Sequence, residues 1–147
     1  MSIRRATLDD IPVLSALAGE SLMAAHWTEA QYRAALFGGH PRRVIFLAEA
    51  DRPVGFAAGV EIAGEWELEN IVVAPSKQGE GIGGMLLRAF LQEARESGAK
   101  SVFLEVRESN LRARYLYESA GFVDTGRRSE YYHNPDEDAI LYKKNLS

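Results

Sequence analysis

Apolar residues change their spacing several times along the chain, and each change marks an expected element. Ile11, Leu14, Ala18 and Leu22 recur at helical spacing behind a capping-box-like Thr7 and Asp10, which predicts a first helix up to about Leu22. A second, short helix is expected from Thr28 to Phe37, where the glycines and proline of FGGHPRR break it. From Val44 the period falls to two. VIFLAEA, PVGFAAGVEI and EWELENIVV, separated by Asp51-Arg52-Pro53 and Ala63-Gly64, read as consecutive antiparallel strands. Along the third run, alternation sets Trp66, Leu68 and Asn70 on one face and Glu65, Glu67, Glu69 and Ile71 on the other.

Helical spacing returns with Ile82, Leu86, Phe90 and Ala94, flanked by Leu87 and Leu91, and stops near Ser97-Gly98. SVFLEV is a short apolar run suited to a central strand. Asn110 offers an N-cap, Ala113, Leu116, Tyr117 and Ala120 share a helix face, and Gly121 stands where a helix ends. FVDTG to EDAILYKK reads as two final strands. The sum is an α/β fold: a mixed, mostly antiparallel sheet of about six to seven strands with helices on both faces. One domain over residues 1–147 is expected, since no linker, repeat or low-complexity segment interrupts the pattern.

Composition narrows the function. With 46% hydrophobic and 26% charged residues the chain is an ordinary globular one. No apolar run approaches the roughly 20 residues that span a bilayer. The opening MSIRRATLDD lacks an apolar signal core, so a cytoplasmic protein with no membrane partner is expected. Absence of cysteine removes disulfides, thiolate metal sites and an acyl-cysteine intermediate, so any group transfer is direct or uses another nucleophile. His26, His40 and His133 lack the close spacing of a zinc site, so no metal is expected. A net charge of −4 weighs against nucleic acid as the main partner and suits a cationic substrate.

The stretch KQGEGIGG, Lys77 to Gly84, lies between a strand and a helix. Gly79, Gly81 and Gly84 formally satisfy G-x-G-x-x-G, with Glu105 about 20 residues on. The dinucleotide-binding context fails, because Ala74-Pro75-Ser76-Lys77-Gln78 separates strand from glycine and a meander comes first. Nor does the loop end in the Gly-Lys-Ser/Thr of a nucleotide P-loop. Two readings remain: free amides at a helix start aimed at a pyrophosphate, or a plain helix N-terminus with a flexible entry.

Gln78-Gly79-Glu80-Gly81-Ile82-Gly83 resembles the Q/R-x-x-G-x-G/A signature of the GNAT N-acetyltransferases. NIVVAP, LEVRESN, LYESAGF and YYHNPDEDAIL, in that order, are similar to motifs of the ribosomal-protein alanine N-acetyltransferases (RimI-like), and His26-Trp27-Thr28-Glu29 is a fainter match. The resemblance covers the C-terminal half densely and implies a GNAT fold with acetyl-CoA as co-substrate. It implies that the backbone of Ile71, Val72 and Val73 pairs with the pantetheine arm. Gln78, Gly79, Glu80, Gly81, Ile82, Gly83 and Gly84 would form the pyrophosphate loop, and Asn110 a further cofactor contact. Family loops often carry basic residues where Gly79 and Glu80 stand. Glu80 therefore brings negative charge near a polyanion.

Acetyl transfer from a thioester to an amine needs a base for the amine and an acid for the thiolate. Glu105 is the leading base, being a carboxylate beside the apolar Val102-Phe103-Leu104 and matching the family's glutamate; the bland reading is a strand-end glutamate, solvated or paired with Arg107. Tyr117 matches the family's acid, against the commoner use of a tyrosine in a core. Tyr115 is rotated about 200° from it and is the weaker choice. Glu67 and Glu69 are rivals, because histone-type relatives draw their base from a position matching Glu67. They are equally readable as a solvated face or as an acidic wall for a cationic peptide. Tyr131 and Tyr132, in a loop-like stretch with His133, Asn134 and Pro135, and Trp27 are candidates to line an acceptor groove. The resemblance thus implies acetylation of a protein N-terminal α-amine, a small-subunit ribosomal protein beginning with alanine being the acceptor it points to. The alternatives are an acetyltransferase for a free small amine or lysine, or a non-catalytic acyl-CoA-binding module.

Overall fold

The computed structural model describes residues 1–133 and 135–146; Asn134, in the expected groove stretch, lies outside the described residues. The chain opens with strand β1 (Ser2–Arg5) and helices α1 (Ile11–Gly19) and α2 (Glu29–Phe37). Strands β2 (Arg43–Glu49), β3 (Pro53–Ile62) and β4 (Glu65–Val73) form the expected antiparallel meander. Helix α3 (Ile82–Glu96), strand β5 (Ser101–Arg107), helix α4 (Leu111–Ser119) and strands β6 (Val123–Tyr132) and β7 (Glu137–Asn145) follow. All seven strands join one sheet in the order β1-β2-β3-β4-β5-β7-β6, in which β4 and β5 are the parallel pair.

The two faces of this sheet are covered by different helices because strand side chains alternate. Ile82, Leu86, Leu87, Phe90, Leu91 and Ala94 form one buried stripe of α3. That stripe packs on Trp66, Leu68, Val102 and Leu104, and Tyr117 of α4 joins the same cluster. On the other face, Leu14 and Leu17 of α1 and Tyr32 and Ala35 of α2 cover Ile45, Leu47, Phe56 and Ala58. Close approach of α3 requires Gly59, since a Cβ there would stand 2.5 Å from Phe90 Cζ.

Three expectations are corrected. The first helix ends at Gly19, and Leu22, although in helical register, is 96% exposed because the chain has left the sheet by then. The capping box is present, with the Thr7 N–H donating to Asp10 Oδ2 at 2.7 Å, but it closes a single tight turn that leads into α1. Strand β1 was not anticipated. Its polar sequence hides the pattern, and it is held by the β2 ladder, by Arg4 on Asp10 and by Arg5 on the buried Glu93 of α3.

The third correction concerns β4. Its register against β3 passes from Leu68 opposite Gly59 to Asn70 opposite Ala58, leaving Glu69 as an extra residue. Such a bulge reverses which side chains face each way. Trp66 and Leu68 face α3, but beyond the bulge Ile71 and Val73 pack on that side, while Val72 joins the α1/α2 cluster. Asn70 therefore does not share a face with Trp66 and Leu68.

Candidate active site

β4 and β5 are paired only at Trp66 opposite Val102 and Glu67 opposite Phe103. The ladder stops where the Glu69 bulge begins, and a bulge bends its strand. Past that point the parallel strands diverge and open a cleft of about 920 Å³ through the middle of the sheet. From Leu68 to Val73, β4 keeps β3 on one side and turns its other backbone edge to the cleft, which Ile71, Val72 and Val73 line.

At one end the cleft meets the glycine loop. Gly79 (φ +85°) and Gly81 (φ +82°) adopt left-handed backbone with nothing near the position of a Cβ. The first helical hydrogen bond of α3 runs from the Met85 N–H to the Gly81 carbonyl, so the amides of Ile82, Gly83 and Gly84 have no intrahelical partner. Gly81 is the N-cap and brings no side chain to satisfy them. Gln78, Gly79, Gly81, Ile82, Gly83 and Gly84 all line the cleft. Glu80 does not: it is exposed between the two left-handed glycines, outside the cleft lining. Free donors with a helix dipole behind them and no Cβ in the way fit a pyrophosphate-bearing ligand. Asn110 lines the same cleft, with its Oδ1 accepting from the Ala113 N–H at 3.3 Å as the N-cap of α4.

Acid–base groups reach the cleft from both faces. Val102, Leu104 and Val106 point under α3, so Glu105 alternates to the opposite side. Tyr117 approaches from the α3 side, packed against the rings of Phe122 and Tyr142. Both line the cleft because the split lets them meet. Burial pushes the Tyr117 phenol well up, so it keeps its proton at neutral pH. Among the described residues its hydroxyl has no hydrogen-bond partner in the protein. The ion-pair partner of Glu105 is not Arg107 but Arg128 of β6, whose Nε lies 3.4 Å from Glu105 Oε1. Arg107 instead donates to the carbonyls of Pro135 and His133 and lies over the Tyr132 ring at 4.5 Å.

The acidic ladder divides. Glu65 is held by Ser101 and Lys143, whereas Glu67 and Glu69 line the cleft. Burial, with Glu69 and Glu105 nearby, raises the Glu67 carboxyl above its ordinary range. Glu69 is engaged by both Nε and Nη2 of Arg43, at 3.1 and 3.3 Å.

Tyr131 and Tyr132 are not in a loop but at the end of β6, where a second irregularity in the ladder aims them at the cleft. The nearby Glu105 carboxylate raises the Tyr131 phenol, and burial pushes Tyr132 up to about 12. Trp27 is both core and lining: its ring sits 5.4 Å from Tyr32 and it borders the cleft. Sequence reading missed the segment before it, Ser21 to Ala25, which forms a further wall, and also Arg112 on α4. The mostly apolar Ser21-Leu22-Met23-Ala24-Ala25 continues the helical register of α1, so nothing in its composition marks it as a wall of the cleft.

Unsatisfied amides at a helix start, an open strand edge and acid–base groups around one cleft are the geometry of a group-transfer site. Residues 12–122 match the family model described as the acetyltransferase (GNAT) family. The chain belongs to the GNAT acetyltransferase family. It is 40% identical over 98 residues to the ribosomal protein bS18 alanine N-acetyltransferase of Haemophilus influenzae, a match spanning 65% of this chain and 66% of that protein. The protein of the same name from Salmonella typhimurium is 37% identical over 119 residues, 78% of either chain. The crystal structure of the ribosomal-protein-S18-alanine N-acetyltransferase from Escherichia coli superposes with a TM-score of 0.87 at 30% identity, covering 99% of this chain and 94% of that one. Among the described residues no helix is long and apolar enough to cross a membrane.

Proposed function

We propose that the protein is a single-domain cytoplasmic enzyme that transfers acetyl from acetyl-CoA to the N-terminal α-amine of a protein. The observation that carries this is one cleft shared by the free amides of the Gln78–Gly84 loop, by Glu105 and by Tyr117. Acetyl-CoA supplies an activated acetyl thioester. The loop amides and Asn110 hold it, together with the open β4 edge at Ile71–Val73. Glu105, directly or through water, takes a proton from the incoming ammonium, and Tyr117 gives one to the departing thiolate. The absence of cysteine is in keeping with direct transfer. Glu80 stands outside the cleft lining and is exposed, so its charge is screened by solvent while the backbone donors face the cleft.

An α-amine titrates near 8 and a lysine amine near 10.4, so one carboxylate base handles the former far more easily at neutral pH. Names of the relatives point to the alanine terminus of a small-subunit ribosomal protein as acceptor. Glu67, Glu69, Trp27, Tyr131 and Tyr132 would surround that peptide. The test is intact-mass analysis after incubation with acetyl-CoA, comparing a free Ala-start peptide with an N-terminally blocked, lysine-bearing one. Acetylation of the free peptide alone supports the proposal. Product on the blocked peptide would move the acceptor to lysine and the base to Glu67.

A further inference from the structure

Asn70 is a buried polar side chain in β4, and both ends of its amide bond one backbone residue outside the sheet. Its Oδ1 accepts from the Ala25 N–H at 3.3 Å, and its Nδ2 donates to the Ala25 carbonyl at 3.0 Å. Ala25 belongs to the segment between α1 and α2, whose Ser21, Leu22, Met23, Ala24 and Trp27 line the cleft. The remaining hydrogen bonds of residues 20–28 are local. His26 Nε2 meets the Ser21 carbonyl, the Met23 N–H donates to Ser21 Oγ, and Thr28 caps α2. Among the described residues Asn70 is thus the one hydrogen-bonded tie between this wall and the sheet.

The bulge at Glu69 makes the tie achievable. Without the extra residue, alternation would send Asn70 under α3 with Trp66 and Leu68. With it, Asn70 turns toward α1 and α2 and meets the wall from below. A primary amide is required, because one end must donate and the other accept. Apolar contact anchors the wall at Ala24 and Trp27, which pack on the α1/α2 cluster, while Leu22, Met23 and Ala25 are exposed, so the Asn70 amide is what fixes its backbone to the sheet.

We infer that Asn70 is a positioning residue that latches the 20–28 segment against β4 and thereby sets the affinity for the acceptor, independently of the acetyl donor. The inference rests on the acceptor binding beside that segment, as proposed above. The test compares wild type with Asn70→Asp, which keeps size and one acceptor but loses the donor, and with Asn70→Ala. Hydrogen exchange of residues 21–27 is measured alongside steady-state kinetics on whichever amine the wild type acetylates. Expected are faster exchange in 21–27 with α3 and β5 unchanged, an acceptor KM raised about tenfold, and kcat and the acetyl-CoA KM within about twofold. Unchanged exchange in that segment, or a loss shared equally between acceptor and donor KM, overturns it. If Asn70→Ala fails to fold, the isosteric Asp variant carries the comparison. Failure of the wild type on peptide amines would refute the proposed function, while the exchange measurement would still decide the latch.

Discussion

Glu105→Gln separates a catalytic base from a carboxylate that merely pairs with an arginine, since glutamine keeps the shape and removes the basicity. A positioned general base contributes about 10²- to 10⁴-fold. Loss of kcat/KM over that range corresponds to about 3–5 kcal/mol of transition-state stabilisation. The ion pair is worth much less. At the 3.4 Å separation from Arg128, two unit charges at an effective dielectric near 20 attract by about 5 kcal/mol before other costs. Arg128 is 56% exposed, however, and solvent screening with side-chain entropy brings such a pair below about 1 kcal/mol. Arg128→Gln, which breaks the pair and leaves the carboxylate, should therefore cost less than about fivefold. The assay is steady-state acetylation of an Ala-start peptide from about pH 6 to about pH 9, bracketing the α-amine. Equal losses in the two variants, or a Glu105→Gln enzyme within about fivefold of wild type throughout, would refute the base assignment. A loss found instead in Glu67→Gln would put the base on β4.

Tyr117→Phe keeps the ring contacts with Phe122 and Tyr142, so turnover should fall about 100-fold with thermal melting unchanged; normal turnover sinks the acid role. Gly59→Ala would set a Cβ 2.5 Å from Phe90 Cζ and 2.7 Å from the Glu67 carbonyl oxygen, costing about 1–3 kcal/mol in urea denaturation. Asp10, hydrogen-bonded by Arg4 and by the Thr7 amide, has its carboxyl drawn down to about 2. A depressed carboxyl stabilises the fold above its unfolded pKa, near 3.9, and loses that contribution as pH falls through its folded value. Asp10→Asn should therefore be about 2 kcal/mol less stable at neutral pH, with the difference vanishing toward about pH 2. Urea melts at several pH values would show a pH-independent gap if this linkage is wrong.

What the sequence made legible is what local chemistry decides. Helix α3 followed from a stripe of six apolar residues, α4 from the Asn110 cap and the turn at Gly121, and the meander from its period of two. The glycine loop was legible because left-handed backbone at Gly79 and Gly81 needs glycine. Contacts between distant segments were not legible. Arg107, two residues from Glu105 on the same strand, was the partner that its own segment offered, yet Arg128 arrives from β6. β1 is a strand because β2 offers an edge and Glu93 waits beneath it for Arg5, neither of which its own residues announce.

Glu69 shows most clearly why periodicity reaches a limit. A period of two assigns faces only while each residue opposes one partner, and a single unpaired residue inverts every later assignment without altering composition. Here that residue falls where the β4–β5 ladder ends. Curvature from the bulge carries β4 away from β5, so the strand edge opens toward the glycine loop. The same inversion sends Ile71 and Val73 toward α3 and Asn70 toward the segment between α1 and α2. Arg43, gripping the Glu69 carboxylate by two nitrogens, holds the extra residue in place from β2. An open edge and a tethered opposite wall thus have one origin, and that origin is a pairing between strands rather than a motif within one.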